Sequence, residues 1–81
     1  MDTHALPISD VYVPAKRRRM LDAAKVEELA ESLMEEGVKV PIQVRKDGDR
    51  LVLVEGLHRL EAARALGEET IPGIFVGARR Y

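Results

Sequence analysis

Hydrophobic residues recur at two different spacings along the chain, and the change of spacing divides it into elements. Residues 6–13 are mostly apolar and β-branched, with Pro7 and Pro14 near their ends. This pattern predicts an edge strand, where the missing N–H of a proline is tolerated. Over residues 23–36 the apolar positions instead follow a helical period: Val26, Leu29, Ala30, Leu33 and Met34.

The ends of this helix are marked by residues that commonly cap helices. The carboxylate of Asp22 can accept hydrogen bonds from the free N–H groups of the first turn. Gly37 can adopt the left-handed conformation that ends many helices. The sequence therefore predicts a helix over residues 23–36.

The second half of the chain predicts a hairpin, a shorter helix and a last strand. Two β-rich runs, 40–46 and 50–54, flank an Asp-Gly turn signal at Gly48. Strong helix formers fill residues 57–66 up to Gly67, and residues 71–76 are an apolar strand. The element order predicts an α+β fold, a small mixed sheet of about four strands with two main helices.

The same periodicities predict which side chains form the core of this sheet and its helices. These side chains share apolar character and a position on the inward face of their element. They are Val26, Leu29, Leu33, Met34, Ile42, Val44, Leu51, Leu53, Leu60, Ile71 and Ile74.

Composition limits how the core can be stabilised. With 81 residues and no cysteine, the chain predicts one domain, residues 1–81, whose core depends on packing alone. Its two histidines are too isolated to suggest a metal site. No apolar run is long enough to span a membrane and no secretory signal is present, so we expect a cytoplasmic protein without a membrane partner.

Charge is balanced in total and segregated along the chain. Thirteen basic and 14 acidic residues give a net charge of -1, which does not favour a dedicated nucleic-acid binder. A basic block at residues 16–19 is followed by an acidic segment at residues 27–36. Any anion must therefore be bound by a local group of residues.

Such a group is predicted where the strand ending at Val54 gives way to the helix that begins near Leu57. The first N–H groups of a helix have no internal partner, and the helix dipole favours anions there. Gly56 allows close approach of the backbone, and His58 and Arg59 add donors suited to phosphate. The alternative is an ordinary helix start with solvated side chains.

The run Val54-Glu55-Gly56-Leu57-His58-Arg59-Leu60-Glu61-Ala62 resembles the Gly-Cys-His-Arg motif of sulfiredoxins and the Gly-Glu-Arg-Arg motif of ParB partition proteins. The helix around residues 21–32 and the strands after Val40 resemble the same superfamily in the same order. The resemblance implies a ParB/sulfiredoxin-like fold. It also implies that Gly56, Leu57, His58 and Arg59 bind the phosphates of a nucleotide triphosphate, ATP or CTP with Mg²⁺.

Further binding residues are implied by the resemblance position by position. Lys25 and Ser32 match a lysine and a hydroxyl residue of the sulfiredoxin helix, although an exposed lysine and a neutral serine remain the alternative. Arg18 is the best match to an arginine that faces the nucleotide in ParB proteins, with Arg17 and Arg19 as close rivals.

Two departures from the family pattern restrict the chemistry. The reactive cysteine of sulfiredoxins corresponds to Leu57, which excludes repair of sulfinic acid by that mechanism. A hydroxyl residue of the sulfiredoxin helix corresponds to Glu28, whose ionised carboxylate would repel phosphate unless it binds a metal or a substrate amine or hydroxyl.

Three functions remain open at the level of sequence. The first is a nucleotide-binding module, with slow hydrolysis or phosphoryl transfer in which Glu55 or Glu28 would act as base. The second is a DNA-associated ParB-like domain that uses basic residues. The third is a non-catalytic domain that binds another protein or itself through Leu57. The basic residues of the second function are Lys16, Arg17, Arg18, Arg19, Arg79 and Arg80.

Overall fold

The structure is a computed structural model that describes residues 2–77. Arg79 and Arg80 therefore lie outside the described residues. Between residues 2 and 77, no helix has the length and apolar character needed to cross a bilayer. A short 3₁₀ turn, Ile8–Asp10, separates the first two strands. The other elements are β1 His4–Pro7, β2 Val11–Tyr12, α1 Ala15–Arg18, α2 Ala23–Glu36, β3 Ile42–Asp47, β4 Arg50–Glu55, α3 Leu57–Ala65 and β5 Thr70–Phe75.

The strands form one mixed sheet in the order β1-β5-β3-β4-β2. The β1/β5 and β3/β4 pairs are antiparallel, and the β3/β5 and β4/β2 pairs are parallel. The predicted α+β class and mixed sheet are confirmed. The predicted hairpin is also present, with Asp47 opposite Arg50 and Gly48 at a positive φ of 63° in the turn.

The first predicted strand is wrong as a single element, and the sheet has five strands instead of about four. The 3₁₀ turn at Ile8–Asp10 breaks residues 6–13 into β1 and β2, which occupy opposite edges of the sheet. The spacing of the buried residues changes at this break. Leu6 and Ile8 are two positions apart, Ile8 and Val11 are three apart, and Val11 and Val13 are again two apart. A continuous strand would keep a period of two.

The two main helices are confirmed, and so is the N-cap of α2, because the Asp22 carboxylate accepts a hydrogen bond of 3.0 Å from the Ala24 N–H. Gly37 follows the last turn of α2 with a φ of 76° and a ψ of 176°, so it has a positive φ but not the predicted left-handed helical conformation. Helix α1 was not predicted from the sequence, because its residues are mostly charged and show no periodic apolar pattern. Pro14 precedes this single turn, and its carbonyl accepts from the N–H groups of Arg17 and Arg18.

The core lies between the sheet and α3. Its fully buried large side chains are Ile42, Val44, Leu53, Leu60 and Ile71, all of which the sequence pattern predicted. The pattern missed several others that are buried with them: Leu6, Ile8, Val11, Val13, Val52, Leu57, Ala62 and Ala63.

Helix α2 forms an outer layer, which packs mainly on α3. None of its side chains is fully buried, although Leu33 packs against the core cluster. The prediction that Met34 belongs to the core is wrong, because its side chain is 73% exposed. The helical period of α2 identifies its inward side, but that side packs mainly on α3 and not in the core beneath it.

This layering predicts unequal costs for truncating two apolar residues of the helices. We expect Leu60→Ala to lower the free energy of unfolding by about 2–5 kcal/mol, because it leaves a cavity in the closed core. Met34→Ala should change it by less than about 0.5 kcal/mol. Urea unfolding followed by circular dichroism measures both, and a Met34→Ala variant as unstable as Leu60→Ala would contradict the layering.

Candidate functional site

The candidate site is built on the junction between β4 and α3. Gly56 occupies this junction with a φ of 108°, a backbone conformation that residues with a Cβ rarely adopt. A Cβ at this position would also lie 2.7 Å from Cγ2 of Ile42 on the central strand. Only glycine allows the chain to turn here while staying in contact with β3.

An irregularity in the β3/β4 ladder lies directly before this turn. Gln43 pairs with Glu55, whereas Val44 pairs with Leu53, so Val54 is an extra residue on β4. Such a bulge bends a strand and increases its local twist. The end of β4 therefore enters the turn at Gly56 with a changed direction.

The first turn of α3 has backbone donors without partners inside the helix. Its first helical hydrogen bond runs from the Leu60 N–H to the Gly56 carbonyl, at 2.9 Å. The N–H groups of Leu57, His58 and Arg59 precede this bond, and no side chain caps them. They point out of the helix end, where the dipole is positive.

These donors open into a pocket of about 350 Å³ between α3, α2 and the turn that follows α1. Three cationic side chains, Arg17, Lys25 and Arg59, line the pocket together with one carboxylate, Glu55. This charge balance favours an anionic ligand. The remaining lining residues are Met20, Leu29, Gly56, Leu57 and His58.

Two polar contacts orient the side chains of the α3 start. Arg59 is half-buried, and its Nη1 donates to the Pro41 carbonyl at 3.5 Å, a long hydrogen bond at the entry to β3. The other guanidinium donors remain available for a ligand. His58 Nε2 accepts a hydrogen bond of 3.0 Å from the backbone N–H of Asp22, at the start of α2.

The structure brings most of the predicted binding residues together. Lys25, Glu55 and the segment 56–59 line one pocket, although Lys25 and Gly56 are 31 positions apart. Glu28 and Ser32 are exposed on α2 and are not among the residues that line it.

Arg18 lies elsewhere, in an adjoining pocket of about 640 Å³ that also contains Tyr12, Arg50 and Arg64. Its rival Arg17 lines the pocket of the α3 start instead. Leu57 is a lining residue of both pockets.

The geometry of α1 explains this division between two neighbouring arginines. Successive residues of a helical turn are rotated by about 100°, so residues three apart share a face. Arg17 and Met20 therefore face one pocket, and Arg18 and Leu21 face the other. Recognising a helical turn after Pro14 would have predicted that the two arginines face different directions, but not which of them faces the pocket.

Leu57 does not present its side chain to a partner. It is only 8% exposed and packs with the core cluster of strands and helix. The resemblance aligned it with a reactive cysteine, and a side chain accessible to a partner was therefore expected. The structure shows that its backbone belongs to the site while its side chain belongs to the core.

Metal ligation by protein side chains alone is not supported. Among residues 2–77, no group of three or more histidine, aspartate or glutamate side chains is arranged to hold an ion. Glu55 is the carboxylate at the pocket. A Mg²⁺ ion would fit here only in the usual nucleotide-borne manner, coordinated largely by phosphates and water with one protein carboxylate.

Comparison with known proteins identifies the family to which this chain belongs. The sequence profile of the ParB N-terminal domain matches residues 1–80. The chain therefore belongs to the ParB N-terminal domain family. A chromosome-partitioning protein ParB from Myxococcus xanthus is 39% identical over 70 residues, which cover 85% of this chain and 24% of the relative. The chain thus spans about a quarter of the length of that relative.

Solved structures of both expected classes share the fold. Sulfiredoxin from Arabidopsis thaliana superposes with a TM-score of 0.86 at 32% identity, covering 96% of this chain and 88% of the sulfiredoxin. A truncated ParB from Caulobacter crescentus in complex with CTP-γ-S gives 0.84 at 28% identity, covering 98% of this chain and 46% of that chain. In complex with the centromeric parS site it gives 0.78 at 30% identity, covering 90% and 40%.

The close approach at the β4–α3 junction predicts the effect of adding a methyl group there. We expect Gly56→Ala to lower the free energy of unfolding by about 2–4 kcal/mol, because it combines the cost of a positive φ with a clash against Ile42. Gly67→Ala is the matched control, since Gly67 also has a positive φ but has free space around it. It should cost only about 1 kcal/mol. Equal losses in thermal unfolding would contradict the clash.

Proposed function

We propose that this domain binds a nucleotide triphosphate, ATP or CTP, with its phosphates at the start of α3. The observation that carries the proposal is the meeting of three cations with the free N–H groups of residues 57–59 in one pocket. Backbone N–H donors at a helix N-terminus suit phosphate oxygens, and one guanidinium group can donate two parallel hydrogen bonds to a phosphate. The CTP-γ-S complex of the Caulobacter ParB supports the same class of ligand.

The surface of α2 supplies contacts for the part of the nucleotide beyond the phosphates. Lys25 lies at the pocket, and Ser32 follows two helical turns later, about 10 Å further along the axis. The exposed carboxylate of Glu28 lies between them. A nucleoside extended along α2 would meet Glu28 and Ser32 after the phosphates meet Lys25.

Any hydrolysis or phosphoryl transfer would depend on the carboxylate nearest the phosphates. Glu55 ends β4 and lines the pocket, so it can orient a water molecule or contact Mg²⁺ brought in by the nucleotide. We therefore assign the role of base to Glu55 in preference to Glu28. Arg17, Lys25 and Arg59 would stabilise charge on the transferred phosphate.

The proposal predicts that Arg59 contributes strongly to nucleotide affinity. Arg59→Ala should raise the dissociation constant for CTP or ATP about tenfold to a hundredfold, the effect of losing charge-assisted hydrogen bonds. Isothermal titration in the presence of Mg²⁺ measures this change. Arg45→Ala is the control, because Arg45 is an exposed residue of β3 outside the pocket.

The same titration separates Arg17 from Arg18. Arg17 lines the pocket at the start of α3, whereas Arg18 lines the adjoining pocket. Arg17→Ala should therefore weaken nucleotide binding more than Arg18→Ala does. Equal and weak binding of all nucleotides to wild type and to Arg59→Ala would refute the proposed function.

Contact with DNA is a second candidate, favoured by the exposed face of α1. Lys16, Arg18 and Arg19 are exposed on this turn and its end, whereas Arg17 is half-buried at the phosphate pocket. The Caulobacter ParB was solved on its parS site. Basic side chains on one turn would contact DNA phosphates and position the domain without reading bases.

This second candidate predicts a strong dependence of binding on salt. Removing two phosphate contacts in a Lys16→Ala/Arg19→Ala variant should reduce the slope of log affinity against log salt by about 1.8. Fluorescence anisotropy with a labelled duplex measures the slope. An Arg45→Ala/Lys46→Ala variant changes the charge equally at exposed positions of β3 and should keep the wild-type slope. Absence of binding at low salt would eliminate the candidate.

The burial of Leu57 removes the observation that favoured a purely protein-binding domain. An apolar residue exposed at the mouth of a site would suit a partner, but the Leu57 side chain is part of the core.

A further inference from the structure

One side chain joins the beginnings of the two main helices. His58, in the first turn of α3, accepts a hydrogen bond at Nε2 from the Asp22 N–H at the start of α2, across 36 positions of sequence. An imidazole nitrogen that accepts cannot carry a proton. The proton of the neutral ring is therefore on Nδ1.

Asp22 is the residue that fixes where α2 begins. Its carboxylate accepts from the Ala24 N–H at 3.0 Å, and its carbonyl accepts the first helical bond from the Val26 N–H at 3.1 Å. Its own N–H is the donor to His58. All three hydrogen-bonding groups of Asp22 are engaged, so the first turn of α2 is tied to the position of His58.

Helix α2 has little else that fixes it along its axis. None of its side chains is fully buried. Within residues 2–77, the bond between Asp22 and His58 is the one hydrogen bond involving a side chain that links α2 to α3. Apolar packing between two helices is not directional, whereas a hydrogen bond specifies a distance and an angle.

The position of this turn matters because Lys25 lies within it. Lys25 is three residues after Asp22, and its side chain lines the pocket at the start of α3. A shift of α2 by a fraction of a turn would move the ammonium group away from the free N–H groups of residues 57–59. The hydrogen bond therefore sets the distance between Lys25 and the free N–H groups of residues 57–59 in this pocket.

We propose that His58 is a positioning residue, which accepts a hydrogen bond from the Asp22 N–H and thereby holds α2 and places Lys25 at the pocket. This inference rests on the proposed nucleotide-binding function. It assigns a role to the histidine of the Gly-Leu-His-Arg segment that differs from the role expected from its neighbour Arg59.

Two neutral amides test the acceptor role. The side-chain oxygen of glutamine reaches about as far as Nε2, and that of asparagine only about as far as Nδ1. His58→Gln should therefore keep the bond to the Asp22 N–H and bind nucleotide within about twofold of wild type. His58→Asn and His58→Ala should bind about threefold to tenfold more weakly, the effect of losing one hydrogen bond.

A double-mutant cycle with Lys25 tests whether His58 acts through α2. If it does, His58→Asn should weaken binding by less than about twofold in a Lys25→Ala background, where there is no ammonium group to position. A full and additive loss would overturn the inference. So would a loss in His58→Gln as large as that in His58→Asn, because a direct phosphate contact through the ring would then be responsible.

Amide hydrogen exchange separates failure of this inference from failure of the proposed function. The Asp22 amide should be protected in wild type and in His58→Gln, and should exchange at least about tenfold faster in His58→Asn. Absence of nucleotide binding in wild type would refute the proposed function, while this exchange pattern would still support the positioning of α2. Unchanged Asp22 exchange in folded His58→Asn would overturn it.

Discussion

The contact between the backbone of Gly56 and Ile42 is the constraint on which the rest of the site depends. Ile42 lies on the central strand and is fully buried, so its position is set by the whole sheet. With no Cβ at residue 56, the chain turns against this side chain and starts α3 directly over the core. The free N–H groups of the first helical turn are consequently held directly over the buried core.

Two hydrogen bonds then orient the polar side chains of the first turn of α3. Arg59 is oriented by the Pro41 carbonyl at the entry to β3, and His58 is joined to the start of α2. The side chain of Leu57 points the other way and helps to anchor the helix in the core. Three successive residues of one turn thus have three different tasks: Leu57 anchors, His58 connects and Arg59 offers donors to a ligand.

Local placement of charge explains how a domain with a net charge of -1 can present an anion pocket. The pocket takes one cation from each of three elements: Arg17 from α1, Lys25 from α2 and Arg59 from α3. Five glutamates lie further along α2, and Glu55 is the carboxylate at the pocket itself. Screening by salt confines the electrostatic attraction of such a local group of cations to its immediate surroundings.

Local signals in the sequence were sufficient to predict the two main helices and the hairpin, because caps, turn glycines and hydrophobic period depend on neighbouring residues alone. Asp22, Gly37 and Gly48 marked their boundaries, and Gly56 marked the turn before the pocket. Features that depend on distant neighbours required the folded chain. They include the places of β1 and β2 at opposite edges of the sheet, the exposure of Met34, and the position of Arg17 rather than Arg18 at the pocket. The physical reason is that a periodic pattern gives the face of an element, whereas packing decides what that face meets.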